Sequence, residues 1–366
     1  MKPDYIKRIL HIRKLLSQLS YDAIIISNVQ NCQYLSGFHN SDPNVAYLVI
    51  HQQSLHLITD YRYAEQARNE CENIEVIVRD RDHVTLGEQF NLLLNEIGAS
   101  TVAFEKEYFS YFLYEHIQQS LQNIQLNGVK GWVEKLRMIK DETEINNIRQ
   151  AAAIADESLA QLVKFIKPGM SERDVSLELE YQMQKQGSQG LSFPTIFLSG
   201  ERTSLPHGIP SQRKLTAGDL IILDFGAVIN GYRSDMTRTF VVGEPNEKQL
   251  DVYQAVKDAQ QAGVASVKAG MLAQHPAKIS KQILDASGYG KYQGEGLGHG
   301  VGLNLHEQPF LTLKSDIVLE ENMVITIEPG VYIPGWGGIR IEDDVLVTAT
   351  GCEILTHSPK ELIVIA

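Results

Sequence analysis

The sequence predicts two domains, an α/β layer followed by an α+β domain of short strands, glycine-rich turns and helices. Three observations point there. The first third of the chain alternates helix-period with strand-period segments. A capped pair of long helices opens near Asp141, and from Thr195 onward short apolar runs are separated by glycine-rich turns. A length of 366 residues accommodates two domains, at ~150 residues each.

In the first part, Ile6, Ile9, Leu10, Arg13 and Leu16 recur at helical spacing, and Ala23 to Ile26 form a continuous apolar strand. β-like runs follow at 45–50, 55–58, 74–78 and 101–104. Helix-like stretches around 63–71, 86–97 and 108–121 lie between them, which suits a mostly parallel or mixed sheet. Asn127, Gly128 and Gly131 break the pattern, so the expected domains are 1–128 and 129–366. His11, His39, His51, His56, His83 and His116 are scattered through this part and read as surface or packing residues.

Beyond the break, Asp141 followed by Glu144 has the form of a helix N-cap with its capping-box partner. Ile145, Ile148, Ala152, Ala155, Leu159 and Leu162 then make one buried stripe. Pro168-Gly169 ends this helix and Ser171 begins another, with two more expected around 247–268 and 275–287.

Composition narrows the function. With 43% hydrophobic and 21% charged residues the chain is an ordinary globular one. Lys plus Arg number 33 against 45 Asp plus Glu, a net charge of −12, which argues against sequence-independent nucleic-acid binding. Cys32, Cys71 and Cys352 are widely separated and form no CxxC pair, so neither a zinc ribbon nor a disulfide framework is expected. The N-terminal segment scatters its basic residues among apolar ones, unlike a signal peptide. No stretch approaches the ~18 apolar residues of a membrane span. The expectation is a cytoplasmic protein that binds neither membrane nor nucleic acid.

The segment DLIILDFGAVINGYRSDMTRTF carries the first chemical signal. Asn230-Gly231 between apolar runs predicts a two-residue type I′ hairpin. That loop sets Asp235 opposite Gly226, with Asp224 two residues away on the same side. The two carboxylates become diagonal neighbours, ~7–8 Å apart at the backbone. They could be solvated turn-flanking residues, but Asp224 closes the run Leu-Ile-Ile-Leu. An unpaired carboxylate buried there is costly, and a metal is one remedy.

Further acids and histidines follow. GEGLGHGVGLNLHEQP holds His299 and His306 among glycines that permit close backbone approach to something compact. MVITIEPGVYIP ends an apolar run at Glu328. GGIRIEDDVLV sets Glu342 on the side opposite Ile339, Ile341 and Val345, facing either solvent or a cleft. Four carboxylates and one imidazole suit Mn²⁺, Co²⁺ or Zn²⁺ better than a thiolate-type site would. Their combined charge matches two divalent ions, which favours a two-metal centre.

The ordered set LDFGA, SDMTRTF, GHGVGLNLHE, IEPG and RIEDD resembles the pita-bread metallopeptidases. That superfamily includes Xaa-Pro dipeptidase (prolidase), Xaa-Pro aminopeptidase (aminopeptidase P), methionine aminopeptidase and creatinase. The resemblance runs from Asp141 to the C-terminus, and the first domain resembles the creatinase/prolidase-type leading domain by layout. It implies a pita-bread catalytic domain in which Asp224 serves one metal, Asp235 and Glu342 bridge both, and His299 and Glu328 complete the other. Mn²⁺ is the expected ion, with Co²⁺ or Zn²⁺ as alternatives. A metal-bound water would attack the carbonyl, with Glu328 also shuttling its proton. His207 and His306 would act catalytically on the substrate, and Arg340 would orient a carboxylate or a neighbouring group at the substrate.

Glu295 stands where many proline-specific members have a histidine, four residues before His299, and is a candidate for substrate positioning. The implied activity is hydrolysis of the bond preceding proline, in a peptide with proline as its second residue. A dipeptidase is favoured, with action on longer peptides the alternative. The leading domain argues against a methionine aminopeptidase, and the complete ligand set argues against a creatinase-like hydrolase or a non-catalytic binding module. The family resemblance further implies a homodimer.

Overall fold

In the computed structural model, which describes residues 4–366, the chain divides into two units between Arg137 and Met138. Met1 to Pro3 of the N-terminal reading lie outside the described residues.

The first unit runs α1 (Tyr5–Leu19), β1 (Ala23–Ile26), α2 (Val29–Ser36), β2 (Tyr47–His51), β3 (Leu55–Thr59), α3 (Ala64–Glu70), β4 (Glu75–Val78), α4 (Leu86–Glu96), β5 (Thr101–Glu105), α5 (Tyr111–Ser120), β6 (Gln125–Val129) and α6 (Trp132–Met138). One six-stranded sheet results, in the order β4-β3-β2-β1-β5-β6. β2 pairs antiparallel with β1 and β3, whereas β1–β5, β5–β6 and β3–β4 are parallel, so the sheet is mixed. Apolar side chains of β1, β2 and β5 pack against Phe90, Leu93 and Leu94 of α4 and Leu113 and Ile117 of α5.

The break lies further along than the sequence suggests. Asn127 and Gly128 read as turn residues, but they sit inside β6, paired with Ala103 and Phe104. As an edge strand β6 has a neighbour on one side only, and its alternation is correspondingly weak. α2 and α6, short and mixed in polarity, also left no periodic signal.

A buried carboxylate ties several of these pieces together. Glu105 ends β5 and accepts from the backbone N–H of Ser27 at 2.7 Å and of Asn28 at 2.9 Å. The Asn31 amide donates to Glu105 at 2.6 Å and to Glu134 of α6 at 2.6 Å, while Arg137 donates to the Asn31 oxygen. Burial pushes the Glu105 carboxyl up from 4.5 to about 7, against the pull of these donors.

The second unit runs α7 (Glu142–Phe165), α8 (Glu172–Lys185), β7 (Ile196–Ser199), β8 (Leu220–Phe225), β9 (Val228–Ile229), β10 (Tyr232–Arg233), β11 (Met236–Val242), α9 (Glu247–Ala265), α10 (Gln274–Ala286), β12 (Val324–Ile327), β13 (Gly330–Ile333), β14 (Gly337–Arg340), β15 (Asp343–Val347), β16 (Cys352–Ile354) and β17 (Ile363–Ile365). The capping box at α7 is present in both directions, as is one joining Ser171 and Asp174 at α8. The strands form small sheets ordered β17-β11-β8-β7 and β12-β15-β16, with the pairs β9–β10 and β13–β14. All are antiparallel except β11–β17. α7 and α8 cover Phe197, Leu223, Phe225 and Phe240 of the four-stranded sheet. α9 and α10 cover Leu220, Val331 and Ile339.

The hairpin has the register its turn predicts. Asn230 and Gly231 have φ of 50° and 81°, and Ile229 pairs with Tyr232. The same register continues into β8 and β11, where Asp224 pairs with Thr237 and Phe225 with Met236. Gly226 is required there, since a Cβ would lie 1.9 Å from the Ser234 carbonyl.

The Glu105 shift generates a prediction for the first unit. Between pH 4.5 and 7 the folded state holds a proton that the unfolded chain has released, so stability falls as pH rises through that window. The loss from this group amounts to about 3 kcal/mol. Chemical denaturation at pH 5 and pH 8 should show the first unit more stable at the lower pH. Glu105→Gln should flatten that difference, and an unchanged slope would refute the assignment.

Candidate metal centre

Asp224 is the penultimate residue of β8, Asp235 immediately precedes β11, Glu328 immediately follows β12, and Glu342 lies between β14 and β15. His299 sits in the glycine-rich segment, its backbone N–H donating to Thr326 Oγ1 of β12 at 3.0 Å. Strand ends from two sheets therefore carry the four carboxylates to one place, where they line a cavity of about 350 Å³ with His299, Arg340, His207 and His306. Asp224, Asp235, His299 and Glu342 are all buried.

One ligand atom each from Asp235, His299 and Glu342 lie within 4.8 Å of one another. His299 Nε2 is 3.7 Å from Asp235 and 3.3 Å from Glu328. Its Nδ1 lies 3.1 Å from the Gly300 carbonyl. A carbonyl only accepts, so Nδ1 carries a hydrogen, and Nε2 is the ring atom that faces the carboxylates, sharing a hydrogen with Glu328 that a metal ion would displace.

Three of the four carboxylates have a dedicated donor. Arg340 donates to Asp224 Oδ2 at 2.6 Å, Thr237 Oγ1 to Glu342 Oε2 at 2.6 Å, and Thr326 Oγ1 to Glu328 Oε1 at 3.2 Å. The backbone N–H of Asp235 donates to Asp344 Oδ2 at 2.8 Å. Burial, then the charge of neighbouring carboxylates, drives Asp235 and Glu342 well above the usual range. Asp224 is raised by burial despite Arg340. Burial also works against the charge on Glu328, but the hydrogen bond and charge of His299 carry it below its ordinary value. Asp344 is pushed up to about 8, chiefly by burial.

These residues fit divalent cations. Asp224 Oδ1 and Asp235 Oδ1 are buried with no hydrogen-bond partner. Such oxygens are costly to desolvate unless something cationic meets them. Oxygen donors with a single imidazole are the set that Mn²⁺, Co²⁺ or Zn²⁺ accepts.

The comparisons with known proteins agree. Residues 8–139 match the family model described as "Creatinase/Prolidase N-terminal domain", and residues 146–349 match that of "Metallopeptidase family M24". The chain belongs to metallopeptidase family M24. It is similar to an Xaa-Pro dipeptidase of Pyrococcus furiosus, 36% identical over 98% of this chain and 99% of that one. Among solved structures it resembles an Xaa-Pro dipeptidase from Bacillus anthracis with a TM-score of 0.94 and 38% identity, covering 99% and 100% of the two chains. An X-Pro aminopeptidase from Thermotoga maritima aligns with a TM-score of 0.90 and 36% identity, covering 97% and 99%. The fold is accordingly a creatinase/prolidase-type domain followed by a pita-bread metallopeptidase domain. Among the described residues no helix is long and apolar enough to cross a membrane.

Among the outer residues of this metallopeptidase, Arg340 lines the cavity and orients a carboxylate, as the sequence suggests, whereas Glu295 needs a correction. Besides Asp224, Arg340 reaches Thr237 Oγ1 at 2.9 Å, the Tyr332 hydroxyl at 2.7 Å and the Pro206 carbonyl at 3.4 Å. It therefore holds a carboxylate of the centre. Glu295, expected to position substrate, is exposed and is not among the residues that line the cavity. His207 is exposed at the cavity wall. The His306 ring meets His299 edge-on at 4.3 Å, and burial and the His299 charge lower its pKa.

Thr237, Thr326 and Asp344 escaped the sequence reading. Each lies two residues from a predicted acid, Asp235, Glu328 or Glu342, so alternation along an extended chain sets it on the same side.

Thr237 joins Glu342 to Arg340, and replacing it with isosteric valine removes both contacts. Thr237→Val should weaken Mn²⁺ binding about 10–100-fold in isothermal titration calorimetry, with the circular dichroism spectrum unchanged. Unaltered affinity would remove Thr237 from the centre's support.

Proposed function

We propose that this metallopeptidase is an Xaa-Pro dipeptidase, hydrolysing the peptide bond before proline at a centre of two divalent ions, Mn²⁺ in the cell. The observation that carries the reading is one cavity with the carboxylate cluster on its floor and an apolar wall of Phe193, Pro194, Ile196, Ile209, Pro210 and Leu305. A pyrrolidine ring suits such a wall. The volume of about 350 Å³ lies at the small end of ligand sites, which span ~300–1,000 Å³, and this favours a dipeptide over longer peptides.

Asp224, Asp235, His299, Glu328 and Glu342 would hold the ions. When bound, the ions supply an activated water at neutral pH and polarise the carbonyl. The chain's own residues do the rest. Arg340 presents Asp224 with Oδ1 directed into the site, and Thr237 fixes the orientation of Glu342. Glu328, kept ionised beside His299, takes a proton at its carboxylate and passes it to the leaving imino nitrogen of proline. His306, its pKa lowered, is neutral at pH 7 and offers a ring N–H to the carbonyl oxygen as negative charge develops there. His207 meets the substrate from the exposed side. A cytoplasmic location and assembly as a homodimer belong to the same reading, and light scattering after size exclusion checks the assembly.

The test compares an Xaa-Pro dipeptide with the matching Xaa-Pro-Xaa tripeptide under added Mn²⁺ and then chelator. The dipeptide should be cleaved faster, activity should vanish with chelation, and Glu328→Gln should lower kcat by about 10²–10⁴-fold. Faster tripeptide cleavage would make the protein an aminopeptidase instead.

A further inference from the structure

Lys140 is one of the largest fully buried side chains in the described chain. An ammonium group with 1% of its side chain exposed needs a partner of opposite charge, and it has one. Nζ donates to Glu307 Oε1 at 2.9 Å, and the Glu307 side chain is itself 8% exposed. Neither residue lines the cavity.

The two ends of this pair are anchored differently. The Lys140 backbone N–H donates to Asn322 at 2.9 Å, and the next residue, Asp141, is locked into the capping box of α7. That end is fixed to a long helix. Glu307 directly follows His306, and its own N–H and C=O both bond to Gly300, which directly follows His299, at 3.0 and 2.9 Å. Its carboxylate lies under the turn between them. The Asn304 N–H points to Oε2 at 3.5 Å, and a Cβ on Gly302 would stand 2.5 Å from Oε1.

We infer that the Lys140–Glu307 ion pair is a positioning device for His306, holding the 302–307 turn from beneath so that this imidazole stays edge-on to His299 at the cavity wall. The inference rests on the proposed function in treating His306 as a substrate contact. A neutral hydrogen bond would let the turn sample other arrangements. A charge-assisted one is directional, and swinging Glu307 outward strands a buried cation, so one arrangement of the turn is enforced. Glu307 is thus a positioning residue acting through its neighbour.

The experiment uses the paired replacement Lys140→Met with Glu307→Gln, which removes both charges at near-constant volume, in wild-type and His306→Ala backgrounds. Proton–carbon NMR of histidine-labelled, Zn²⁺-loaded protein identifies the His306 ring signal by its loss in His306→Ala. In the paired variant that signal should shift or split while the His207 signal stays, with Zn²⁺ stoichiometry unchanged in calorimetry. On an Xaa-Pro dipeptide kcat/KM should fall about tenfold, and in the His306→Ala background by less than about twofold. An unmoved His306 signal, or equal losses in both backgrounds, would overturn the inference. Should the paired variant fail to fold, Glu307→Asp, which retracts the carboxylate by one methylene, is read by the same signals. Should the wild-type protein cleave no Xaa-Pro peptide, the functional reading fails on its own, and the His306 signal still decides the positioning.

Discussion

Asp224, Asp235, Glu328 and Glu342 converge at the buried ends of strands, and their mutual repulsion is the constraint around which the second unit is organised. Like charges separated by a few ångströms in a poorly hydrated interior repel far more strongly than they would in water. Arg340 is the fixed cation among the residues lining the cavity, and it lies against Asp224 alone of the four. Burial, and then the charge of the neighbouring acids, push Asp235 and Glu342 towards their protonated forms. Bound divalent cations would supply the missing positive charge and turn the repulsion into cohesion. The hydroxyls of Thr237 and Thr326 and the guanidinium of Arg340 aim the carboxylates before any ion arrives, so little ordering remains to be done at binding.

Holding acids this close demands that the backbone segments carrying them approach one another closely too. Two glycines show where. A Cβ on Gly226 would stand 1.9 Å from the Ser234 carbonyl, and one on Gly298 would stand 2.0 Å from the Thr326 carbonyl. The glycine-rich run before His299 reads, in sequence, as room for a compact ligand. In the structure its first use is to let His299 lie against β12, the strand that delivers Glu328.

What was legible in the sequence follows from the range of the interactions involved. The hairpin is local: Asn230-Gly231 sets a register that carries unaltered to Asp224 and Thr237, so the relation of the two aspartates could be read from the turn between them. The acids stood out because a carboxylate closing an apolar run is chemically incongruous. Thr237 and Thr326 did not, because threonine in a strand is an ordinary β-former whose hydroxyl can go unnoticed. Lys140 and Glu307 were invisible for a different reason. They are 167 positions apart, and nothing in either local pattern signals the other. β6 was lost because turn-type residues occupy an edge strand, and the break after Gly128 was misplaced with it.

The charge balance of the cavity also constrains how a dipeptide could be told from a longer peptide. A dipeptide differs by a free carboxylate next to its proline ring, and a fixed cation would be the direct way to read it. Arg340 is already held by Asp224, Thr237, Tyr332 and Pro206, so its charge serves the centre first. His306, its pKa lowered by burial and by His299, offers a neutral hydrogen bond rather than a charge near pH 7. An anionic substrate terminus must also approach a floor of four acids, which favours it only once cations are in place there. Under the proposed function, discrimination at this wall would fall to shape, through the apolar side chains around Ile196, Ile209 and Leu305, and to hydrogen bonds from His207 and His306. Such a site separates substrates by what fits beyond the proline ring, and small changes in the rim would move it between dipeptides and longer peptides while the centre itself stayed the same.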